Sequence, residues 1–120
     1  MKTLITLFCL LLPTLANSQS VTGTIESVGS EYGNLETSLS HEDIEALSLE
    51  VGDHFTVAHD GQTIRVYFGR TYEDVEKGEW ISFLNWEKKL RIARSFANAA
   101  KTLGAKAGDE LNIFKIVSTE

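Results

Sequence analysis

The chain reads as a mainly β protein, a small antiparallel β-barrel-like domain with one short α-helix near the C-terminus. Three observations predict this. Apolar residues recur at every second position in several short runs, such as Val21-x-Gly23-x-Ile25 and Ile64-x-Val66-x-Phe68, the period of a half-buried strand. Gly, Asn and Asp punctuate those runs at short intervals, as in barrels and sandwiches. Only residues 95–103 combine Ala-rich composition with a terminal glycine, the signature of a helix and its C-cap.

The elements follow in order. Residues 21–28 form a first strand, residues 29–34 a turn-rich loop, and residues 35–39 a second strand. Ser40-x-x-Asp43 resembles a capping box that opens a helical turn, continued by Ile44, Leu47 and Leu49 and ended by Gly52. Phe55 and Val57 alternate into Asp60-Gly61, a pair suited to a tight hairpin with positive φ. Ile64, Val66 and Phe68 then share one face of the return strand. Residues 80–84 are a buried strand and residues 90–93 a short one. Residues 95–103 form the main helix, closed by Gly104. In the last strand, residues 111–117, Leu111 and Ile113 face one way while Phe114 and Ile116 face the other, which calls for a bulge or for burial on both sides.

Residues 1–18 stand apart. Lys2 precedes an apolar run over residues 4–12, Pro13 breaks it, and Ala16-Asn17-Ser18 sets small residues before Gln19. This is the pattern of a cleaved signal peptide. The run is about half of the roughly 20 apolar residues a membrane span needs, and Cys9 lies inside it, which argues against a lipoprotein. The expected product is a single exported domain over residues 19–120, periplasmic or extracellular, with no membrane insertion after cleavage. The only Cys and the only Pro fall in the leader, so the mature domain relies on its core rather than on disulfides. About a hundred residues bury roughly 60–70% of their unfolded surface, which suffices for one domain. The full chain carries 11 basic and 17 acidic residues. Loss of Lys2 shifts the balance further negative, and with no basic stripe a nucleic-acid partner is not expected.

Four positions and one turn are candidates for function. In Tyr32-Gly33-Asn34, the glycine permits close approach of the backbone, and the amide of Asn34 offers a donor and an acceptor that suit a purine edge. Composition alone favours a plain turn. Tyr72 suits stacking on a base, against the commoner role of a core aromatic beside strands. Arg94 has a surface salt bridge as its ordinary alternative. Trp86 and Glu87 lie in the polar turn Asn85-Trp86-Glu87-Lys88-Lys89, where the tryptophan suits packing at an interface. The histidines do not predict a metal centre: His54 and His59 have opposite parity on one strand, and His41 starts a helix. No cofactor is expected, and no Ser/His/Asp or Cys/His arrangement stands out.

Residues 70–111, RTYEDVEKGEWISFLNWEKKLRIARSFANAAKTLGAKAGDEL, together with Tyr32-Gly33-Asn34-Leu35, resemble the C-terminal domain of the S-adenosylmethionine hydroxide adenosyltransferases and their halogenase relatives, the fluorinases and chlorinases. The resemblance extends from about Val21 to Val117. It implies an antiparallel β-barrel-like unit in which Asn34 faces adenine, Tyr32 replaces a Phe wall, Tyr72 lies near the adenosine, and the chain near Arg94 passes the adenine edge. It also implies that Trp86 and Glu87 replace a Ser-rich turn holding the methionine end. In that family the catalytic groups come from an N-terminal domain, and the active site forms with a neighbouring subunit of a trimer.

The expectation is therefore an exported, non-catalytic domain binding adenosine or a related purine nucleoside or SAM-like ligand. The alternatives are a detached subunit of a SAM hydrolase completed by a partner carrying the N-terminal domain, and a structural or protein-interaction module. A homotrimer is among the implied assemblies.

Overall fold

Strand β1 (Gln19–Val28) lies between β7 (Glu110–Lys115) and β2 (Leu35–Ser40), antiparallel to both. On the far side of β2 comes β6 (Lys89–Arg94), then β5 (Trp80–Leu84), β4 (Gln62–Phe68) and β3 (His54–His59), which returns to β7. The seven strands thus close into a barrel in the order β1-β2-β6-β5-β4-β3-β7. This computed structural model describes residues 19–115. The expected signal peptide, with its Lys2 and Cys9, and the expected extension of the last strand to Ile116 and Val117 lie outside the described residues.

Alternation turns one side chain in two into the barrel. Phe55 and Val57 from β3, Val66 from β4, Ile92 from β6, and Leu111 and Ile113 from β7 meet there, each at most 2% exposed. Burial of this kind is worth about 1.5–3 kcal/mol per large apolar side chain, and closure leaves no unpaired strand edge. The β3–β4 hairpin turns at Asp60 (φ 47°) and Gly61 (φ 83°). Both central residues have the positive φ of a type I′ turn, whose twist matches that of the flanking strands.

One pairing departs from the expected all-antiparallel arrangement. β4 and β5 run parallel, with Tyr67 opposite Ile81 and Phe68 opposite Ser82. The connection from Phe68 to Trp80 has the length of a parallel crossover, about a dozen residues. A 3₁₀ turn, Tyr72–Asp74, organises it, and the Asp74 carboxylate accepts from the amides of Arg70 (2.7 Å) and Thr71 (3.2 Å). The Ser82 hydroxyl fastens the junction by donating to the Tyr67 carbonyl at 2.9 Å.

Two short helices close the gaps between strands. Helix α1 (His41–Ala46) has the expected capping box: Ser40 Oγ accepts from the Asp43 amide, and Asp43 Oδ2 accepts from the Ser40 amide. It stops earlier than expected, where Ser48 turns left-handed at φ 57°, rather than at Gly52. Helix α2 (Ala99–Leu103) is capped by Asn98 and ends at Gly104, φ 67°. It is shorter than the expected 95–103 because Phe96 sits at φ 56°, which no helix accommodates. In β7 the register against β1 runs without a break, so the outward Phe114 is half-buried and no bulge is needed. The irregularities lie instead between Ile25 and Ser27 in β1 and between Glu36 and Ser40 in β2. No helix among the described residues is long and apolar enough to cross a membrane.

Candidate functional site

The loop after β1 and the loop after β6 are tied together by helix α2. Within the first loop, the Gly33 amide donates to the Gly29 carbonyl and the Gly29 amide to the Asn34 carbonyl, both at 2.9 Å. The Gly33 carbonyl then accepts from the Ala100 amide at 3.0 Å, inside the first turn of α2, where that amide lacks a partner from its own helix. Gly33 has φ 70°, and a Cβ there would lie 1.9 Å from Asn98 Oδ1, the atom that caps α2 by accepting from the Lys101 amide at 2.9 Å. Only glycine fits. The plain-turn and functional readings of this loop therefore meet at Gly33, because the same turn that seats the helix cap sets the direction of Tyr32 and Asn34.

Between the two loops opens a cavity of about 640 Å³, lined by Glu31, Tyr32, Asn34, Tyr72, Arg94, Ser95, Phe96, Ala97 and Asn98. Its volume falls within the roughly 300–1,000 Å³ of small-molecule pockets. Tyr32, Asn34, Tyr72 and Arg94 all lie on its wall, though they come from three separate stretches of chain. Trp86 and Glu87 do not line it. They sit in the turn between β5 and β6, where Asn85 Oδ1 accepts from the Glu87 and Lys89 amides and Trp86 stands 86% exposed.

The polar wall is wired to the barrel. Asn34 Nδ2 donates to the Tyr72 hydroxyl at 2.6 Å. The Tyr72 ring meets Phe83 edge-on, with centroids 5.1 Å apart, a favourable aromatic geometry. Arg91, which pairs across the strands with both Phe83 and Glu36, lays its guanidinium over the Phe83 ring and donates from Nε to Glu36 Oε2 at 2.6 Å. Burial works against the Arg91 charge, but the Glu36 carboxylate and the Tyr72 hydroxyl outweigh it and hold its pKa above the usual range. Asn85 completes the chain by donating to Glu36 Oε1 at 2.9 Å. Tyr72 is thereby held at both ends.

Arg94 makes no salt bridge among the described residues, contrary to its ordinary alternative. Its Nε donates to the Gly78 carbonyl at 2.8 Å, and its guanidinium lies 5.8 Å from the Trp80 ring centre. The side chain staples β6 to the crossover, while its backbone leads into the cavity wall.

Five further residues line the cavity, Glu31, Ser95, Phe96, Ala97 and Asn98; Asn98 belongs to the stretch following Arg94 that the resemblance places along the adenine edge, whereas Ser95 and Phe96 escaped the sequence reading. Phe96 is 83% exposed in a left-handed conformation rare for a bulky residue, with the Lys77 ammonium 4.8 Å from its ring centre. Ser95 is buried, and Asn98 is the helix cap. The signal available was a large apolar residue between small ones, Ser95-Phe96-Ala97, directly before an N-cap. Among the described residues no group of three or more His, Cys, Asp or Glu is arranged to hold a metal. His54 and His59 do diverge, as their parity requires: His54 is exposed, with burial and then the Arg65 charge lowering its pKa, and His59 is buried against Asp109.

Comparison with known proteins adds the lineage. A conserved protein from Thermotoga maritima, described as uncharacterized, superposes with a TM-score of 0.74 at 26% identity, over 78% of this chain and 35% of its own. A conserved hypothetical protein from Thermus thermophilus shares the fold at a TM-score of 0.55 and 24% identity, over 77% of this chain and 34% of its own. The chain thus spans about a third of the length of these two structures. No curated protein matches it. Residues 23–112 match the family described as the SAM hydroxide adenosyltransferase C-terminal domain, and a match running from within β1 into β7 makes this chain a member of that family.

Proposed function

We propose that this domain binds adenosine or a related purine nucleoside in the cavity walled by Tyr32, Asn34, Tyr72 and the chain at Arg94, and that the exported form begins at Gln19. The observation that carries the reading is the Asn34–Tyr72 bond at the cavity wall. A primary amide has two N–H donors and one carbonyl acceptor. With one N–H spent on Tyr72, Asn34 keeps one donor and one acceptor for a ligand. That pair complements the N7 acceptor and N6 amino donor of adenine. Tyr72 then serves twice, as the anchor of the amide and as an aromatic wall. Family membership supports the same ligand class.

Calorimetry of adenosine binding to the wild type, Asn34→Ala and Tyr72→Ala tests this. Asn34→Ala removes the edge contacts and is expected to cost about 1–3 kcal/mol of binding. Tyr72→Ala removes a stacking wall, worth about 1–3 kcal/mol, and also frees the Asn34 amide. Adenosine should lose more in Asn34→Ala than inosine, which presents an oxygen where adenine has an amino group. Undetectable binding by the wild type, or binding by both variants as tight as the wild type's, would dismiss the reading.

A second reading is favoured by the exposure of Tyr32 (64%) and Phe96 (83%) on the cavity rim. In it, a partner chain covers the rim and supplies the groups that carry out SAM hydrolysis. SAM turnover that appears only when a SAM hydroxide adenosyltransferase N-terminal domain is added would favour it. Turnover by this chain alone would contradict both readings.

A further inference from the structure

The parallel pairing of β4 with β5 is short, Tyr67 with Ile81 and Phe68 with Ser82. Continued back by two residues, the same register would set Arg65 opposite Glu79. The ladder is not formed there, and a cavity of about 320 Å³ opens instead, sharing no residue with the 640 Å³ cavity. Alternation puts Arg65 and Tyr67 on the outer face of β4, since Val66 and Phe68 are buried. His54, opposite Tyr67 on β3, meets its ring edge-on with centroids 5.2 Å apart. Trp80 and the crossover residues Val75 and Gly78 supply the rest of the lining. Opposite charges at facing strand positions ordinarily pair, yet Arg65 and Glu79 make no ion pair, with each other or with any other described residue. Glu79 is nevertheless held in place: its carbonyl accepts from the Ser95 amide at 2.9 Å, and its Oε1 from the Glu76 amide at 3.2 Å. Its Oε2 makes no hydrogen bond among the described residues.

We propose that this cavity is a second binding site, for a small zwitterion of the free amino-acid class: Arg65 receives its carboxylate, Glu79 its ammonium, and the rings of Tyr67 and Trp80 its apolar side chain. A guanidinium takes a carboxylate through two parallel hydrogen bonds, and an ammonium gains from a carboxylate and from nearby aromatic faces. The volume lies at the lower end of small-molecule sites, which fits one amino acid. A phosphate entering here meets Glu79, and an amine without a carboxylate meets Arg65. A neutral sugar desolvates both charges and supplies a counter-charge to neither. His54 leaves this balance intact. Burial, and then the Arg65 charge, lower its pKa, with Glu79 pulling the other way, so the imidazole is neutral at pH 7. The site stands apart from the purine cavity, and the inference does not rest on the purine reading.

Calorimetry of the full chain with L-phenylalanine, L-phenylalaninamide and N-acetyl-L-phenylalanine tests the proposal, because the amide lacks the carboxylate and the acetyl form lacks the ammonium. The wild type should bind L-phenylalanine about ten- to a hundredfold more tightly than either derivative, the equivalent of one charged hydrogen bond. Arg65→Gln should erase the preference over the amide and keep the preference over the acetyl form. Glu79→Gln should do the opposite, and it retains the Oε1 acceptor for the Glu76 amide. Each charge is thus matched to one end of the ligand, a pattern that general damage to the fold does not produce. Neither residue lines the purine cavity, so adenosine affinity should stay the same in both variants. A wild type that does not bind L-phenylalanine overturns the proposal. So does equal affinity for all three compounds, or L-phenylalanine binding that both variants leave unchanged and adenosine displaces, which would put it in the other cavity. Failure to bind adenosine, with the zwitterion pattern intact, defeats the purine reading and leaves this inference standing.

Discussion

The turn after helix α2 and the turn before it each bury polar groups, and they satisfy them in opposite ways. After the helix, His59 Nε2 lies 2.9 Å from Asp109 Oδ2, and the same carboxylate oxygen accepts from the Lys106 amide at 3.0 Å. The hydrogen bond from His59, and then that amide, hold the Asp109 carboxyl below its ordinary pKa. The Ile25 amide donates to the Asp109 carbonyl, and the Gly108 amide donates to the Ile25 carbonyl, both at 2.8 Å. This corner pins β7 and β3 to β1. Before the helix, Ser95 is buried, Asn34 is half-buried and Tyr72 is exposed, and all three line a cavity with donors and acceptors left over. Apart from His59 Nδ1, which is buried without a partner among the described residues, the first corner consumes its own polar groups and supports the fold, whereas one that leaves them facing a cavity is available to a ligand.

The largest effect expected from breaking this contrast is at His59. His59→Ala removes a buried ring and leaves Asp109 without that partner. It should cost about 2–3 kcal/mol of stability, from lost packing and an unpaired polar group, read as a shift in the urea midpoint. Purine affinity, measured where the variant is still folded, should be unchanged. A loss under about 0.5 kcal/mol, the range of ordinary surface substitutions, would show that the corner is not a structural lock.

Gly33 sharpens the comparison from the other side, because there fold and site share one atom's worth of space. Gly33→Ala forces a Cβ onto Asn98 Oδ1 at φ 70°. The left-handed backbone costs about 1 kcal/mol, and loss of the Asn98 cap adds about 1 kcal/mol. Adenosine binding should weaken as well, since Tyr32 and Asn34 flank the displaced turn. Gly61→Ala is the control. Its φ is 83° but nothing lies within 4 Å of the added Cβ, so it should cost only the backbone share and leave binding untouched. Equal penalties for the two variants would mean that the Gly33–Asn98 contact contributes nothing.

What the sequence disclosed and withheld follows the same division. Strand positions were legible because apolar alternation and local turn chemistry are short-range: Asp60-Gly61 makes its hairpin, and Ser40 and Asp43 make their box. The β4–β5 parallel junction was hidden, since nothing in residues 69–79 states which strand the crossover returns to. Tyr32, Asn34, Tyr72 and Arg94 were singled out through a resemblance to a family, and their meeting at one cavity depends on β2, β6 and the crossover meeting at one end of the barrel. Ser95 and Phe96 were missed for a physical reason. Ala-rich sequence extends the helical signal back to residue 95, whereas the close approach of Gly33 to Asn98 places the cap at residue 98 and turns Phe96 outward. Local propensity lost to a tertiary contact.

Trp86 is the smallest expected effect and the sharpest test of where an interface lies. It is 86% exposed, beside Lys88 at φ 62°, in a turn whose hydrogen bonds are made by Asn85 rather than by the indole. Trp86→Ala should therefore change the stability of an isolated chain by less than about 0.5 kcal/mol. It should also leave adenosine affinity alone, because the residue does not line the cavity. The route from this turn to the site runs through Asn85, Glu36, Arg91 and Tyr72, and none of those bonds involves Trp86. An exposed tryptophan is nevertheless among the side chains most able to anchor a protein contact. Sedimentation of the wild type and the variant separates the cases. If both sediment alike and bind adenosine alike, the barrel acts through its cavity and Trp86 is an exposed turn residue. If the wild type is an oligomer that dissociates on Trp86→Ala while adenosine affinity stays the same, this turn is a subunit contact independent of the cavity. If dissociation also abolishes adenosine binding, a neighbouring subunit supplies part of the wall, and the contrast between a closed corner and an open site then belongs to the assembly rather than to one chain.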